Sequence, residues 1–275
     1  MNKDLPVAFT YPSQYFNIRD TLECGQIFRF KRLDDGAYAV YSQDKYAELN
    51  YNAEGLVEVR TADCNYFWNF FDCDVDYGEK VKRIAALSPI MDKAATCGKG
   101  IRILNQDLTE TIFSFIISAN NNIKRIQLII ERMCAKLGNE TPYGYAFPKT
   151  EAMAQAPVEL YTQIGAGYRD RYLSETANAL INFDLSVFDA MDSEQTRKLL
   201  LNFKGIGPKV ADCIMLFGLK RGDVFPVDTW LKKVYHEYFE QGHSERDISK
   251  YFCELFGADA GLCQQYLFYW RRLQQ

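Results

Sequence analysis

Through residues 26–60 apolar and polar positions alternate in short runs. Gln26-Ile27-Phe28-Arg29-Phe30-Lys31 alternates, and Asp34-Asp35-Gly36 then supplies turn chemistry. Ala37 to Ser42, Tyr46 to Tyr51 and Leu56 to Arg60 follow, with Ala53-Glu54-Gly55 as a second turn. A period of two reads as strand, and connections this short join only antiparallel neighbours, so the pattern predicts a meander. From about residue 77 the period becomes helical and predicts no further strand. Helices are expected over roughly 78–86, 107–119, 123–137, 157–163, 169–181, 193–202, 208–218, 229–239 and 258–274. Gly138-Asn139, Pro142 and Gly165-Ala166-Gly167 are among the breaks between them. The expected fold class is α+β: a small antiparallel-sheet domain over 1–98, then a larger all-helical domain over 99–275. No low-complexity tract or internal repeat interrupts the pattern.

Length and composition fit that division. At about 150 residues per domain, 275 residues make about two. With 48% hydrophobic and 25% charged residues, the chain has an ordinary globular balance. The longest apolar run, Ile112 to Ala119, contains Ser114 and Ser118 and falls well short of the ~18 residues of a membrane span. Met1-Asn2-Lys3-Asp4-Leu5-Pro6 has no apolar stretch behind its lysine and does not read as a secretory leader. Eight cysteines stand singly with no Cys-x-x-Cys pair, and the two histidines, His236 and His243, are too few for most metal sites. A reduced, intracellular, metal-poor protein with no membrane contact is expected.

Charge sharpens the picture locally. The net charge is −4, yet residues 197–233 carry eight cations (Arg197, Lys198, Lys204, Lys209, Lys220, Arg221, Lys232, Lys233) against Asp212, Asp223 and Asp228. A basic stretch on an acidic chain reads either as one anion-facing surface or as a solvated helical face.

Within that stretch lies Phe203-Lys204-Gly205-Ile206-Gly207-Pro208-Lys209-Val210-Ala211-Asp212. Helical pattern stops at Asn202 and resumes at Pro208, so Gly-Ile-Gly makes a tight turn between two helices, at about 193–218. Glycine tolerates positive φ and leaves backbone bare, and proline is pre-set for the first helical position. Exposed amides at a helix start bind phosphate well, and Ile206 should anchor the turn in the core. A bare Gly-x-Gly is more often an ordinary turn; the longer pattern ending in Lys209 is more specific. Further on comes Phe225-Pro226-Val227-Asp228-Thr229-Trp230, with Asp228 nineteen residues after Lys209. Asp228 precedes a helical run, which makes it an N-cap candidate as well as a carboxylate held rigidly at a helix mouth. Lys209 and Cys213, four apart, share a helix face.

Gly205-Ile206-Gly207-Pro208-Lys209 followed by Pro226-Val227-Asp228 resembles the helix-hairpin-helix-Gly-Pro-Asp superfamily of DNA glycosylases. Three more segments are similar to its 8-oxoguanine DNA glycosylase family. They are Phe16 to Phe30 with Thr21-Leu22-Glu23-Cys24-Gly25-Gln26, Phe113 to Ile126 with Asn120-Asn121-Asn122-Ile123-Lys124-Arg125, and Gly165-Ala166-Gly167-Tyr168-Arg169. The resemblance runs in order from about residue 16 to the C-terminus. It implies a TBP-like N-terminal domain and a monomeric, nucleoid-associated or cytoplasmic enzyme on double-stranded DNA containing 8-oxoguanine, with N-glycosylase and abasic-site lyase activities.

Residue by residue, the resemblance implies that Lys209 is the nucleophile that forms a Schiff base, attacking as a neutral amine. Asp228 would stabilise positive charge on the sugar. Gly25 would accept, through its carbonyl, the ring N–H that guanine lacks. Gln264 would bond the Watson–Crick edge, and Phe268 and Cys213 would sandwich the base. Asn120, Arg125 and Arg169 would read the orphaned cytosine, with Tyr168 as the wedge that holds the kinked duplex open. Gly205, Gly207 and Lys204 would face a phosphate. No organic cofactor is implied; a monovalent cation on the carbonyls of Leu201, Phe203 and Ile206 is. Outside the resemblance, Asn120 reads as a helix cap, Arg125 as a solvated residue, Tyr168 as a packed loop aromatic and the Gln264 segment as an amphipathic terminal helix. Departures also stand out. Trp230 replaces the usual histidine two after the aspartate, Lys204 replaces a common proline, and the cysteines cannot supply the iron–sulfur motif of sister branches. An alkylated-base glycosylase of the same superfamily and a non-catalytic helix-hairpin-helix DNA-binding module remain as alternatives. Lys209, Gly25 and the Asn120/Arg125/Arg169 set count against the first, and the pairing of Lys209 with Asp228 counts against the second.

Overall fold

A computed structural model of the chain describes residues 5–239, 242, 244 and 247–274. His243 and residues 1–4, which carry most of the segment read as no leader, lie outside the described residues. The N-terminal half holds β1 (Val7–Tyr11), α1 (Ile18–Glu23), β2 (Phe30–Arg32), β3 (Tyr38–Ser42), β4 (Lys45–Tyr51), β5 (Val57–Thr61), α2 (Cys64–Phe70), α3 (Tyr77–Ala85) and α4 (Pro89–Gly98). The strands form one antiparallel sheet in the order β1-β5-β4-β3-β2. Its meander β2 to β5 is the one the alternation predicts. Val40 opposite Ala47 and Leu49 opposite Val59 put apolar side chains on one face. That face packs on Phe16, Ile18 and Leu22 and on Phe67, Phe70 and Phe71.

The helical part runs α5 (Leu108–Ser118), α6 (Ile123–Leu137), α7 (Thr150–Gln155), α8 (Val158–Gln163), α9 (Asp170–Leu180), α10 (Ser193–Leu200), α11 (Pro208–Gly218), α12 (Thr229–Tyr238), α13 (Ile248–Phe256) and α14 (Ala260–Arg272). No helix among the described residues is long and apolar enough to cross a membrane.

The structure corrects the pattern reading at several points. Edge strand β1 and helices α1, α2, α4, α7 and α13 were not expected, and a two-stranded hairpin, β6 (Glu140–Thr141) with β7 (Gly144–Tyr145), interrupts the helical part. Most of these elements are only two to seven residues long, too short to establish a period. For α4 the signal was present as Ser88-Pro89: the serine caps the Met91 N–H at 3.3 Å and the proline opens the helix. Residues 26–29 alternate but are not strand. The Gln26 side chain instead bonds the carbonyls of Thr21 (2.9 Å) and Arg102 (2.7 Å) and the Leu104 N–H (2.9 Å). Packing also crosses the expected boundary at residue 98. Tyr77, Ile84, Met91, Ala94 and Ala95 of α3 and α4 belong to the helical core, whereas Leu104 belongs to the sheet core. The apolar face of α4 needs a partner, and α14 provides it: Gly98 lies so close to Tyr266 that a Cβ there would approach the ring to 2.6 Å.

The two bodies are joined by Arg102, whose side chain is fully buried. Its guanidinium donates to the carbonyls of Phe71 (2.8 Å), Tyr15 (3.2 Å), Val75 (3.3 Å) and Asp72, and lies 4.1 Å from the Tyr77 ring centroid. Arg102→Met should therefore lower unfolding free energy by at least about 3 kcal/mol, since each orphaned buried acceptor costs ~1–3 kcal/mol. Chemical denaturation measures this; a loss under about 1 kcal/mol would show that the cage is not what joins the bodies.

Candidate active site

The hairpin forms between α10 and α11 as the glycine pattern requires. A capping box between Asp192 and Gln195 starts α10, and residues 201–207 turn the chain into α11. Gly205 has φ +81, and a Cβ there would sit 2.8 Å from Tyr172 Cβ. Gly207 differs: it is the N-cap of α11 with φ −93, and a Cβ there would meet nothing within 4 Å. Gly205 is needed by the fold, while Gly207 leaves backbone bare toward open space. Ile206 is buried, as expected of the turn's anchor, and the Thr176 hydroxyl donates to the Lys204 carbonyl at 2.9 Å.

Lys209 occupies the first turn of α11, half buried. Its Nζ lies 5.4 Å from the centroid of Phe115, a buried ring on α5. Phe115 stacks on Phe217 at 5.4 Å and meets Phe28 edge-on at 5.5 Å, so the ring beneath Lys209 is itself held by two others. One turn along α11, Cys213 is buried; burial pushes its thiol pKa up, and the Lys209 ammonium partly offsets this. Asp228 caps α12, with Oδ1 accepting the N–H groups of Trp230 and Leu231, both at 2.9 Å. The cap reading of Asp228 is therefore correct, and it uses only one oxygen. Burial holds this carboxyl above the usual carboxylate range, against the pull of the Leu231 N–H and of Lys209. An amine and a carboxylate coupled in a half-buried site can attack an electrophilic carbon and hold the positive charge that develops there.

The basic stretch contracts around the hairpin. Arg197 pairs with buried Asp212 (2.7 Å), Lys198 with Glu194 (2.7 Å) and Lys220 with Asp72 (2.5 Å), while Arg221 donates to the carbonyls of Phe188 and Met191. Lys233 lies on the Trp230 ring at 5.0 Å. Lys204 stays exposed on the turn and Lys209 half exposed beside it. Several cations of the stretch are thus engaged within the protein, and those at the hairpin turn are Lys204 and Lys209.

Asn120, Arg125, Tyr168 and Arg169 are brought together. The asparagine triplet makes the corner between α5 and α6. Asn120 takes the left-handed conformation after the α5 cap, φ +49, Asn121 Nδ2 donates to the Ile117 carbonyl at 3.1 Å, and Asn122 caps α6. Tyr168 is 57% exposed and its hydroxyl donates to the Ala119 carbonyl at 3.2 Å. Arg125 is exposed, with Nη2 donating to the Gly165 carbonyl at 3.3 Å. Arg169 departs from expectation. It is buried over the Tyr168 ring, its Nη2 donates to the Asn120 carbonyl at 2.9 Å, and Ala119 and Ala166 take its other bonds. In this conformation it shapes the corner and does not present a free fork, because adjacent carbonyls satisfy it.

Gly25 has φ +94 directly after the Cys24 cap of α1. On α14, Gln264 is buried and Phe268 half buried, one turn apart. Gln265, also buried, donates to Gln264 Oε1 at 2.7 Å. Gly25 lines a cleft of about 650 Å³ with Lys31, Lys124 and Arg272, and Arg272 lies 5.9 Å from the Phe268 ring. Phe115, Gln26 and Arg272 were not singled out from sequence. The first two lie inside motif segments, but nothing local marks Arg272.

Comparison with known proteins decides the family. Residues 8–112 match the model for the 8-oxoguanine DNA glycosylase N-terminal domain, and residues 113–256 that for HhH-GPD superfamily base excision DNA repair proteins. The chain belongs to the 8-oxoguanine DNA glycosylase family. Its fold follows a solved structure of Clostridium acetobutylicum 8-oxoguanine glycosylase/lyase bound to double-stranded DNA with cytosine opposite 8-oxoguanine. Identity is 34% and the TM-score 0.89, over 95% of this chain and 93% of that one. An N-glycosylase/DNA lyase of Saccharomyces cerevisiae is 36% identical over 171 residues, which are 56% of this chain and 43% of that protein's length. A 3-methyladenine DNA glycosylase from Archaeoglobus fulgidus shares the fold at TM-score 0.76 and 18% identity, over 96% of this chain and 98% of that one.

The two hairpin glycines of this family member should respond differently to alanine. Gly205→Ala is expected to cost about 1–3 kcal/mol through its positive φ and the Tyr172 contact, whereas Gly207→Ala should unfold within about 0.5 kcal/mol of wild type. Denaturant midpoints decide it; equal losses would contradict the assignment of Gly205 to fold and Gly207 to surface.

Proposed function

We propose that the protein is a bifunctional base-excision-repair glycosylase that removes 8-oxoguanine from double-stranded DNA, preferentially opposite cytosine, and cleaves the abasic strand. The observation that carries the reading is the placing of Lys209 over the Phe115 ring on α11, within electrostatic reach of the α12 cap Asp228 beside the hairpin turn, in a chain similar to enzymes named glycosylase/lyase. Lys209 Nζ attacks C1′ of the flipped nucleotide, the C1′–N9 bond breaks and the base leaves with its electron pair. Ionised Asp228 offsets the positive charge that gathers on the sugar. Loss of the amine proton opens the ring to a Schiff base, which acidifies the C2′ hydrogen and permits β-elimination of the 3′ phosphate.

Gly25, Cys213, Gln264 and Phe268 form the base pocket in this reading, and Gly207 amides with Lys204 receive a phosphate. No described hydrogen bond between turn and backbone ends on the Leu201 or Ile206 carbonyl, while that of Phe203 accepts from Ile206 N–H at 3.2 Å. In this reading the carbonyls of Leu201, Phe203 and Ile206 would hold a monovalent cation, which when bound would add positive charge behind the phosphate-facing turn. The alkylated-base alternative shares the fold but gives Lys209 no task.

Borohydride trapping on a duplex with 8-oxoguanine opposite cytosine tests the proposal. Wild type should form a covalent adduct; Lys209→Gln should form none while binding the duplex within about threefold of wild type. Asp228→Asn should excise at least ~100-fold more slowly yet fold normally, asparagine being an equally good N-cap. Adduct from the Gln variant, or full-rate excision by the Asn variant, would contradict the roles of nucleophile and charge-stabilising carboxylate.

Opposite-base preference follows from Arg125, the exposed fork at the asparagine corner. Adenine would set a donor where cytosine sets an acceptor, leaving a guanidinium unpaired at ~1–3 kcal/mol. Excision opposite cytosine should be about tenfold faster or more than opposite adenine, and Arg125→Ala should narrow the gap mainly by slowing the cytosine reaction. Single-turnover rates on the two duplexes measure this, and equal wild-type rates would refute the assignment to Arg125.

A further inference from the structure

The last turn of α14 touches the loop that presents Gly25, across 249 residues of sequence. Arg272 Nη2 donates to the carbonyl of Glu23 at 3.0 Å, and the Tyr269 hydroxyl donates to Asp20 Oδ1 at 2.5 Å. Glu23 is the final residue of α1, Cys24 its cap, and Gly25 the next residue. The carbonyls ending a helix have no partner within it, so one that receives a guanidinium is fixed in direction, and the cation also suits the negative end of the helix dipole. Beyond Gly25 the chain is fixed by Gln26, whose buried amide bonds Thr21, Arg102 and Leu104. Between these tethers Gly25 has φ +94, and the space where its Cβ would be is open. Nothing packs against the glycine from that side, so the direction of its carbonyl depends on the two tethers.

The same guanidinium lies 5.9 Å from the ring centroid of Phe268 and 5.7 Å from that of Tyr269. It lines the cleft that Gly25 lines. One side chain thus fixes both the peptide that reads the extra ring N–H and the ring that stacks on the base. We infer that Arg272 is a positioning residue for lesion recognition: it holds the Gly25 peptide and the Phe268 ring in register with each other. The inference rests on the functional reading above and extends it to a residue at the far end of the chain.

Two reactions of the full-length protein separate recognition from chemistry. Excision of 8-oxoguanine needs the base pocket, whereas cleavage of a preformed abasic site needs the amine of Lys209 and no base. Arg272→Leu should excise 8-oxoguanine at least ~20-fold more slowly in single turnover and cleave abasic duplex within about threefold of wild type. Arg272→Lys, which restores a donor for the Glu23 carbonyl but not the planar group over Phe268, should recover part of the excision rate. Excision by Arg272→Leu at the wild-type rate, or a parallel fall in both reactions, overturns the inference. Wild type run alongside distinguishes the two levels. If it excises no 8-oxoguanine, both the functional reading and the role of Arg272 fall; if it excises and Arg272→Leu matches it, only the role of Arg272 falls.

Discussion

A single buried guanidinium, that of Arg102, fixes how the sheet body and the helical body meet. Four carbonyls from Tyr15, Phe71, Asp72 and Val75 converge on it, and the Tyr77 ring lies against it. Its own backbone carbonyl receives the Gln26 amide, and its N–H donates to the Thr21 hydroxyl. The residue that joins the bodies therefore also anchors the loop carrying Gly25. An isolated buried cation would be costly, but a cage of carbonyl dipoles and aromatic faces compensates its desolvation and admits few other arrangements. Lys220, reaching from the end of α11 to Asp72, adds a second tie at the same seam.

From that seam α5 carries position into the site. Its start is held by the Asp107 cap and by Glu110, which pairs with Arg29 of the sheet body at 3.3 Å. Its middle supplies Phe115 under the Lys209 ammonium, and its end delivers Asn120 at the corner where Tyr168 and Arg169 meet. One helix thus sets the distance between the amine and the cluster assigned to the opposite base. The ring beneath Lys209 is attractive to a cation, so it suits the iminium that exists once the amine has attacked and the sugar ring has opened.

Features decided within a few residues were legible in the sequence. The Gly-Ile-Gly turn, the proline opening α11, the Asp228 cap and the alternation of β3 to β5 all follow from local chemistry, and all stand where the pattern put them. Features decided by distant partners were not. Gln26 looked like a strand residue because its alternation was right, yet its side chain was needed by Thr21, Arg102 and Leu104. Arg169 looked like a free fork because its neighbours in sequence do not reveal that the Ala119 and Asn120 carbonyls lie within reach. Arg272 carried no signal at all, since its partner is Glu23. Charge counting overstated the basic surface for a related reason: Glu194 and Asp72, outside the counted stretch, pair with Lys198 and Lys220, which the count leaves unopposed.

The proposed chemistry stands on one bond, between Lys209 Nζ and C1′ of the lesion nucleotide. The most direct measurement is to digest the borohydride-reduced protein–DNA adduct and locate the modified residue by peptide mass mapping. The nucleotide is expected on Lys209 alone, within the peptide that opens α11. An adduct on another lysine or on the terminal amine would contradict that chemistry, and would make the cluster of Phe28, Phe115 and Phe217 a feature of packing only.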